Sequence, residues 1–309
     1  MDIVVSGASG LIGSALVPAL RADGHTVRRL VRRKPKADDE LAWEPAKHEV
    51  DAAAVASADA VINLNGVGIG DRRWTESYKQ LALDSRLDST STLVDAITRP
   101  ESSVRVLISG SAIGWYGERG DEITTEADPC GPGFLSDLVR QWEAATAPAE
   151  AAGVRVVHLR TGIVLSPKGG ALGRMLPIFR LGFGGRLGSG KQWMSWIAID
   201  DEVAAIKYAL GNDAMSGPYN LTAPNPVTNN ELTKALGRAL VRPTVAAVPR
   251  FALRAAFGGF ADEGLLMSQR VVPSRLLEAG FEFKHPELEA ALPQLLAGAG
   301  ATRGARPRA

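Results

Sequence analysis

Three glycines spaced three residues apart, Gly7, Gly10 and Gly13, constrain this chain more than any other feature of its sequence. They come directly after a short β-branched run, Ile3 to Ser6, and overlap a segment from Leu11 to Arg21 whose apolar residues recur at helical spacing. A strand, a tight turn and a helix are therefore expected in immediate succession. In that context each glycine has a steric reason. The first permits the turn, the second lets a backbone approach a pyrophosphate without a Cβ between them, and the third allows the helix to pack closely on the strand. The exposed N–H groups and the positive dipole end of the helix then favour phosphate oxygens. The whole turn, Gly7-Ala8-Ser9-Gly10-Leu11-Ile12-Gly13, is a candidate cofactor-binding element.

The strand and helix theme repeats. Thr26–Val31, Asp59–Leu64, Val104–Ile108 and Val154–Leu159 read as further strands, and long helical patterns span Thr75–Thr98 and Phe134–Ala152. Arg32 to Pro45, rich in charge and proline, reads as a loop. Strands alternating with helices predict an α/β fold, a Rossmann-type doubly wound parallel sheet, over residues 1–165. Beyond about Ser166 short segments punctuated by Gly and Pro give way to isolated helices at Thr228–Leu240, Phe251–Phe257 and Leu265–Gln269. Residues 166–296 are thus expected to form a smaller, mostly helical C-terminal lobe over the carboxyl edge of the sheet, interleaving with the first domain, with 297–309 a disordered tail.

The residues just past the second strand bear on which dinucleotide is held. An Asp or Glu about 20 residues past the glycines bonds the ribose 2′-OH of NAD. Arg32, Arg33 and Lys34 stand there instead. Guanidinium groups suit an added 2′-phosphate, so NADP(H) is the predicted cofactor, with Arg32 and Arg33 as its ligands.

Other classes are excluded by composition. With 35 basic against 34 acidic residues the net charge is +1, which gives bulk electrostatics no reason to recruit nucleic acid. A single cysteine, Cys130, rules out an internal disulfide and a cysteine-based zinc cage. His25, His48, His158 and His285 show no ligand spacing and read as neither metal-binding nor catalytic. The start of the chain lacks a secretory pattern, and no apolar run spans a bilayer, so a soluble cytoplasmic protein is expected. Oligomeric state is not legible.

Beyond the glycines, ordered motifs continue through Asn63-Leu64-Asn65-Gly66, Arg73-Trp74-Thr75, Ser85-Arg86, Ser111-Ala112 with Tyr116-Gly117, Phe134-Leu135, Trp142-Glu143, Leu159-Arg160-Thr161-Gly162, Trp196-Ile197 with Asp200-Asp201, and Asn220-Leu221-Thr222-Ala223-Pro224. With these the sequence resembles the extended short-chain dehydrogenase/reductase superfamily, and more closely its "epimerase family" branch with a C-terminal lobe of the DUF1731 type. The resemblance covers residues 1 to about 295. It implies that Leu64, Asn65 and Gly66 lie along the cofactor and that Leu81 and Arg86 line it. Arg160, at the end of the fifth strand, is then a candidate to reach the pyrophosphate, a surface salt bridge being the alternative.

Enzymes of the superfamily pair a Tyr with a Lys four residues later, beside a Ser. The tyrosine moves a proton, the lysine lowers its pKa and the serine holds the reacting oxygen. Ser111 fits the serine position. The Tyr/Lys pair is missing, because Phe134-Leu135-Ser136-Asp137-Leu138-Val139-Arg140 stands in its place, where neither Phe134 nor Leu135 exchanges a proton and neither Leu138 nor Val139 carries a charge. Tyr116 is a substitute acid by location, a packing role being the alternative. Ala198 stands where relatives carry histidine, and the loop from Gly184 to Trp196 offers glycines and Lys191 to a phosphorylated or anionic substrate. Two functions are compatible with these residues: an NADP(H)-dependent oxidoreductase or sugar-nucleotide-epimerase-like enzyme acting on a carbonyl compound or sugar nucleotide, or a non-catalytic NADP(H)-binding redox sensor or interaction module.

Overall fold

The computed structural model describes residues 1–301. Eight strands form one sheet: β1 (Asp2–Ser6), β2 (Thr26–Val31), β3 (Glu40–Glu44), β4 (Glu49–Val50), β5 (Ala60–Asn63), β6 (Val106–Ala112), β7 (Arg155–Thr161) and β8 (Gly217–Leu221). Their spatial order is β8-β7-β6-β5-β1-β2-β3-β4, parallel throughout except for the β3–β4 pair. The order reverses between β1 and β5, and the carboxyl ends of those two strands open the crevice where ligands of such sheets sit.

Alternation inside β1 explains the layers. Ile3 and Val5 enter one buried cluster with Leu16 and Leu20 of helix α1 (Leu11–Ala22), whereas Val4 enters another with Leu93, Val94 and Ile97 of helix α2 (Glu76–Ile97). Both faces of the strand are covered, which is why its centre, Ile3-Val4-Val5, is apolar without a break. Helix α3 (Phe134–Ala144) extends the α2 side, and helix α5 (Ile199–Gly211), which comes after α4 (Gly170–Arg180), packs against α1 on the other. A third core holds Leu172 and Leu176 of α4, Leu232 and Leu236 of helix α6 (Asn229–Leu240) and Leu288 and Leu292 of helix α7 (Leu288–Ala301).

The doubly wound parallel sheet and the helix-rich C-terminal region match the sequence reading, with local corrections. The segment Arg32–Pro45, expected as a loop, contains β3. Its charged residue Glu40 is buried because Arg33 and the Lys36 amide satisfy the carboxylate. The helix expected over 134–152 breaks after Ala144, where buried Thr146 turns its hydroxyl to the Glu143 carbonyl and Pro148 opens a second short helix. Leu265–Gln269 is not a helix. A single π turn, Ala261–Leu265, precedes it, and Ser268 and Gln269 spend their bonds on the 113–120 segment instead. The chain beyond 166 supplies the outer strand β8, where Pro218 is tolerated because the strand lies at an edge. Helix α7 carries the backbone as far as Ala301, into the segment expected to be disordered, because Leu288, Ala291, Leu292 and Leu295 anchor it; 302–309 lie outside the described residues.

Candidate functional site

At the end of β1 the glycine turn has the geometry its spacing requires. Gly7 has φ +67°, and a Cβ on it would stand 2.5 Å from the Leu64 carbonyl oxygen. A Cβ on Gly13 would stand 2.3 Å from the Gly7 oxygen, so α1 cannot sit this close to β1 with any side chain there. Gly10 differs. Its Cβ would meet only the Gly7 oxygen, at 3.2 Å, so what this glycine keeps clear is the outward face above the first turn of α1. Gly10 is also the N-cap of α1, and no side chain caps the helix. Its leading N–H groups, around exposed Ser9 and Gly10 and half-buried Leu11 and Ile12, are left to an outside acceptor. Ala8 and Leu11 pack on the core behind the turn. The loop at Gly169-Gly170 closes on the Leu11 side chain, a wall of the cradle that sequence reading missed.

The end of β5 is tied to this turn. Ser6 donates to buried Asn63 Oδ1 at 2.6 Å, Asn63 donates to Thr90 at 3.1 Å, and the Asn65 amide returns to Asn63 Oδ1 at 3.3 Å. Leu64-Asn65-Gly66 is thereby held alongside Gly7. Arg86 lies directly beneath Gly66, 3.2 Å from where a Cβ would be. It donates to the Val67 and Ala82 carbonyls and stacks on Trp142, its ring 4.9 Å away. Burial pulls this guanidinium down to about 10, and its Nε has no hydrogen-bond partner. Leu81, one turn earlier on α2, is 45% exposed.

Past β2 the two arginines part company. Arg33 forms a bidentate pair with Glu40, at 2.6 and 2.7 Å, while Arg32 is exposed and makes no ion pair among the described residues.

At the ends of β6 and β7 a different arrangement appears. Ser111 donates to Glu143 Oε1 at 2.6 Å, and Glu143 takes two bonds from Arg160, both 2.9 Å. Arg160 is 3% exposed, lies 4.0 Å over the Trp115 ring, and donates to the Tyr116 hydroxyl at 3.2 Å. Tyr116 is fully buried and donates to Asn220 Oδ1 on β8 at 2.6 Å. Burial pushes its phenol up to about 12 despite the neighbouring arginine. Glu126 accepts the Asn220 amide at 2.9 Å. The structure thus joins Ser111, Tyr116 and Arg160 into one buried network and turns Tyr116 and Arg160 inward. Glu143 and Asn220, which complete it, stood in the sequence motifs without an assigned role.

Phe134 and Leu135 open α3 where a proton-transferring pair is absent. Phe134 packs edge-on against Trp74 with centroids 5.1 Å apart, and the Lys79 ammonium lies 5.4 Å from its ring centre. The Leu135 amide donates to Glu263 Oε2 at 3.0 Å, so the π turn of the C-terminal region caps this helix. Ala198, the N-cap of α5, is buried. One turn on, Glu202 is 0% exposed, accepts from Thr161 at 2.9 Å, and leaves Oε2 without a partner. Its carboxyl is pushed up to about 8 by burial. Among the described residues no three His, Cys, Asp or Glu side chains converge as metal ligands, and no helix is long and apolar enough to cross a membrane.

Comparison with known proteins extends this geometry. Residues 248–295 match a domain of unknown function, DUF1731. An epimerase family protein of Mycobacterium bovis, Mb2239, is 52% identical over 290 residues, covering 94% of this chain and 96% of its own. The human epimerase family protein SDR39U1 is 38% identical over 304 residues, covering 96% and 100%. The crystal structure of human SDR39U1 isoform 2 with NADPH superposes with a TM-score of 0.87 at 34% identity over 96% of this chain and 99% of that one. A nucleoside-diphosphate sugar epimerase from Corynebacterium glutamicum gives 0.77 at 35% identity, over 96% of this chain and 58% of the other. The model of the NAD dependent epimerase/dehydratase family matches residues 3–222, and with relatives this similar over almost their whole length the chain belongs to that family.

Proposed function

We propose that this protein is an NADP(H)-dependent oxidoreductase, or an epimerase-like enzyme returning the hydride to the same substrate, acting on a carbonyl compound or sugar nucleotide in the cytoplasm. The observation that carries the reading is the uncapped amino end of α1, ringed by Gly7, Gly10 and Gly13 and flanked by Leu64-Asn65-Gly66, with Arg32, which makes no ion pair among the described residues, just past the adjacent strand β2. Backbone donors take the pyrophosphate there, and Arg32 takes the 2′-phosphate. NADPH bound to the human relative supports the choice of cofactor.

A bound nicotinamide supplies the hydride. Ser111, at the carboxyl end of β6, gives its proton to Glu143 and so orients the reacting oxygen by accepting a bond from a substrate hydroxyl. Glu143, fixed by two bonds from Arg160, sets the direction of the Ser111 hydroxyl. Arg160 therefore acts as a positioning residue instead of a pyrophosphate ligand, and Tyr116 as a strut to β8 instead of an acid. Arg86 shores up the Gly66 backbone, and Leu81 presents an apolar surface to the cofactor.

Two observations favour the second function, an NADP(H)-binding protein without turnover: Phe134-Leu135 offers no proton, and the Tyr116 hydroxyl is buried. Two variants separate the readings. Gly10→Asp, which places a carboxylate over the helix end, is expected to weaken NADPH binding at least a hundredfold, roughly 2.7 kcal/mol, with the fold retained. Unchanged affinity in folded protein removes the cradle from the account. Across a panel of carbonyl compounds and sugar nucleotides, NADPH consumption that disappears in Ser111→Ala supports the enzyme, whereas tight NADPH binding with no turnover on any compound supports the sensor.

A further inference from the structure

The carboxyl ends of α4 and α6 present a face that uses none of the residues of the dinucleotide cradle. Leu181 and Phe183, in the turn after α4, and Val241 and Val245, in the turn after α6, are between 73% and 95% exposed. The two turns are neighbours. Arg242 Nε donates to the Arg180 carbonyl at 2.8 Å, and the short strands that follow pair in parallel, Gly185 against Ala246. Ala246 and Ala247 are exposed as well, and so is Ile178, whose carbonyl accepts the Phe183 amide at 3.1 Å. Single apolar side chains on a surface need no explanation, but several gathered on one face mark a contact surface.

Val241 is an independent sign. It ends α6 in the left-handed region, φ +54°, where helices favour glycine and a β-branched residue is strained. That strain holds an apolar side chain out in water, where it gains no packing in the free protein.

Charge selects the occupant. Residues 170–199 and 232–261 carry nine Lys and Arg and no Asp or Glu, in a chain of net charge +1. Acids from elsewhere answer four of the nine: Asp71 pairs with Arg174, Glu289 with Arg238, and Asp262 with Arg250 and Arg254. Arg180, Lys234 and Arg242, beside the apolar turns, make no ion pair among the described residues. A second copy of the chain would set these cations against their own images. A folded partner would meet a flat patch or a groove, whereas here apolar tips project from two turns among long, flexible cations. Such tips suit a fluid surface that admits them while the cations reach charged headgroups.

We propose that this face is a peripheral docking surface for an anionic lipid bilayer. Leu181, Phe183, Val241 and Val245 insert, and Arg180, Lys234 and Arg242 stay at the headgroups. Docking leaves the cradle accessible, because the 11 residues of α4 separate this face by roughly 16 Å from Gly170, which closes on Leu11.

The test is co-sedimentation of the full chain with vesicles of equimolar phosphatidylglycerol and phosphatidylcholine, and with vesicles of phosphatidylcholine alone. Binding to the anionic vesicles that weakens with added salt is expected. Leu181→Ser combined with Phe183→Ser should reduce it roughly a hundredfold, about tenfold per side chain withdrawn from the bilayer. Arg180→Gln combined with Lys234→Gln should reduce it about fivefold per cation, with NADPH affinity unchanged in both variants. Val241→Gly separates docking from folding, since relief of the backbone should leave its urea midpoint no lower than wild type while its vesicle binding falls. No binding to anionic vesicles overturns the proposal, as does equal binding to both kinds of vesicle or full binding by the double serine variant. A concentration-dependent dimer that Phe183→Ser abolishes would assign the face to a second copy instead, and binding to polyglutamate but not to vesicles would assign it to an acidic protein; either result overturns it too.

Discussion

Two stretches of the same sheet edge treat their polar groups in opposite ways. At the end of β1 the leading amides of α1 are uncapped and face outward, so in the free protein water solvates them and an anion can replace it. At the ends of β6 and β7, Ser111, Glu143, Arg160, Tyr116 and Asn220 are nearly all out of water and bond one another. Buried groups must find internal partners, because an orphan costs its full desolvation. The first region thus leaves its amides to water or an anion, and the second makes its bonds internally, with Ser111 left as an acceptor. A protein can keep the cofactor apparatus of its family while the neighbouring residues become a brace between β6, β7 and β8.

The sharpest way to break this contrast is to remove the centre of the brace. Glu143→Ala strands the Arg160 guanidinium, 3% exposed, and leaves Ser111 without its acceptor. Removing one partner of a buried ion pair costs about 3–5 kcal/mol. Urea unfolding should register that loss, with Glu143→Gln losing less, whereas NADPH affinity of the folded fraction should be unchanged. An unfolding midpoint equal to wild type would mean that the network braces nothing.

Glu202 sharpens the comparison, as a buried group with one oxygen left without a partner among the described residues. Burial raises its carboxyl from 4.5 to about 8 in the folded chain. Below pH 4.5 both folded and unfolded states hold the proton; between 4.5 and 8 only the folded state does. The folded state therefore binds more protons across that window, and its stability falls as pH rises, by at most about 1.4 kcal/mol per unit, levelling off above 8. Glu202→Gln, which cannot ionise, should gain on the order of 2 kcal/mol over wild type at pH 8 relative to pH 5. Denaturation curves at the two pH values decide it, and parallel curves for the two proteins would show that Glu202 titrates normally.

Legibility divides along the same line. The turn is backbone, and the glycines that permit it lie close together in sequence, so Gly7, Gly10 and Gly13 could be read with a reason for each. The brace is made of side chains far apart in sequence: Ser111 and Glu143 are separated by 32 residues, Tyr116 and Asn220 by 104. No local pattern encodes such pairs, and motif recognition singled out Ser111, Tyr116 and Arg160 without revealing that they face one another. Strand β3 was hidden for a related reason. Glu40 reads as solvent-exposed until the folded chain brings Arg33 and the Lys36 amide to it.

The smallest expected effect tests the cradle's own selectivity, where sequence treated Arg32 and Arg33 as equivalent. Structure separates them, since Arg33, together with the Lys36 amide, holds the Glu40 carboxyl well below the usual carboxylate range and is committed to that pair. Arg32, exposed and without an ion pair among the described residues, is the guanidinium proposed for a 2′-phosphate. Arg32→Ala should therefore weaken NADPH about tenfold, roughly 1.4 kcal/mol, and leave NADH affinity where it was. Arg33→Ala should change the NADPH to NADH ratio less and instead disturb β3, by depriving buried Glu40 of its partner. Titration of both cofactors against both variants separates the roles. A larger loss of NADPH preference in Arg33→Ala would mean that Arg33 leaves Glu40 when the dinucleotide arrives, and that the ion pair is a resting place for a ligand residue instead of a fixed part of the sheet.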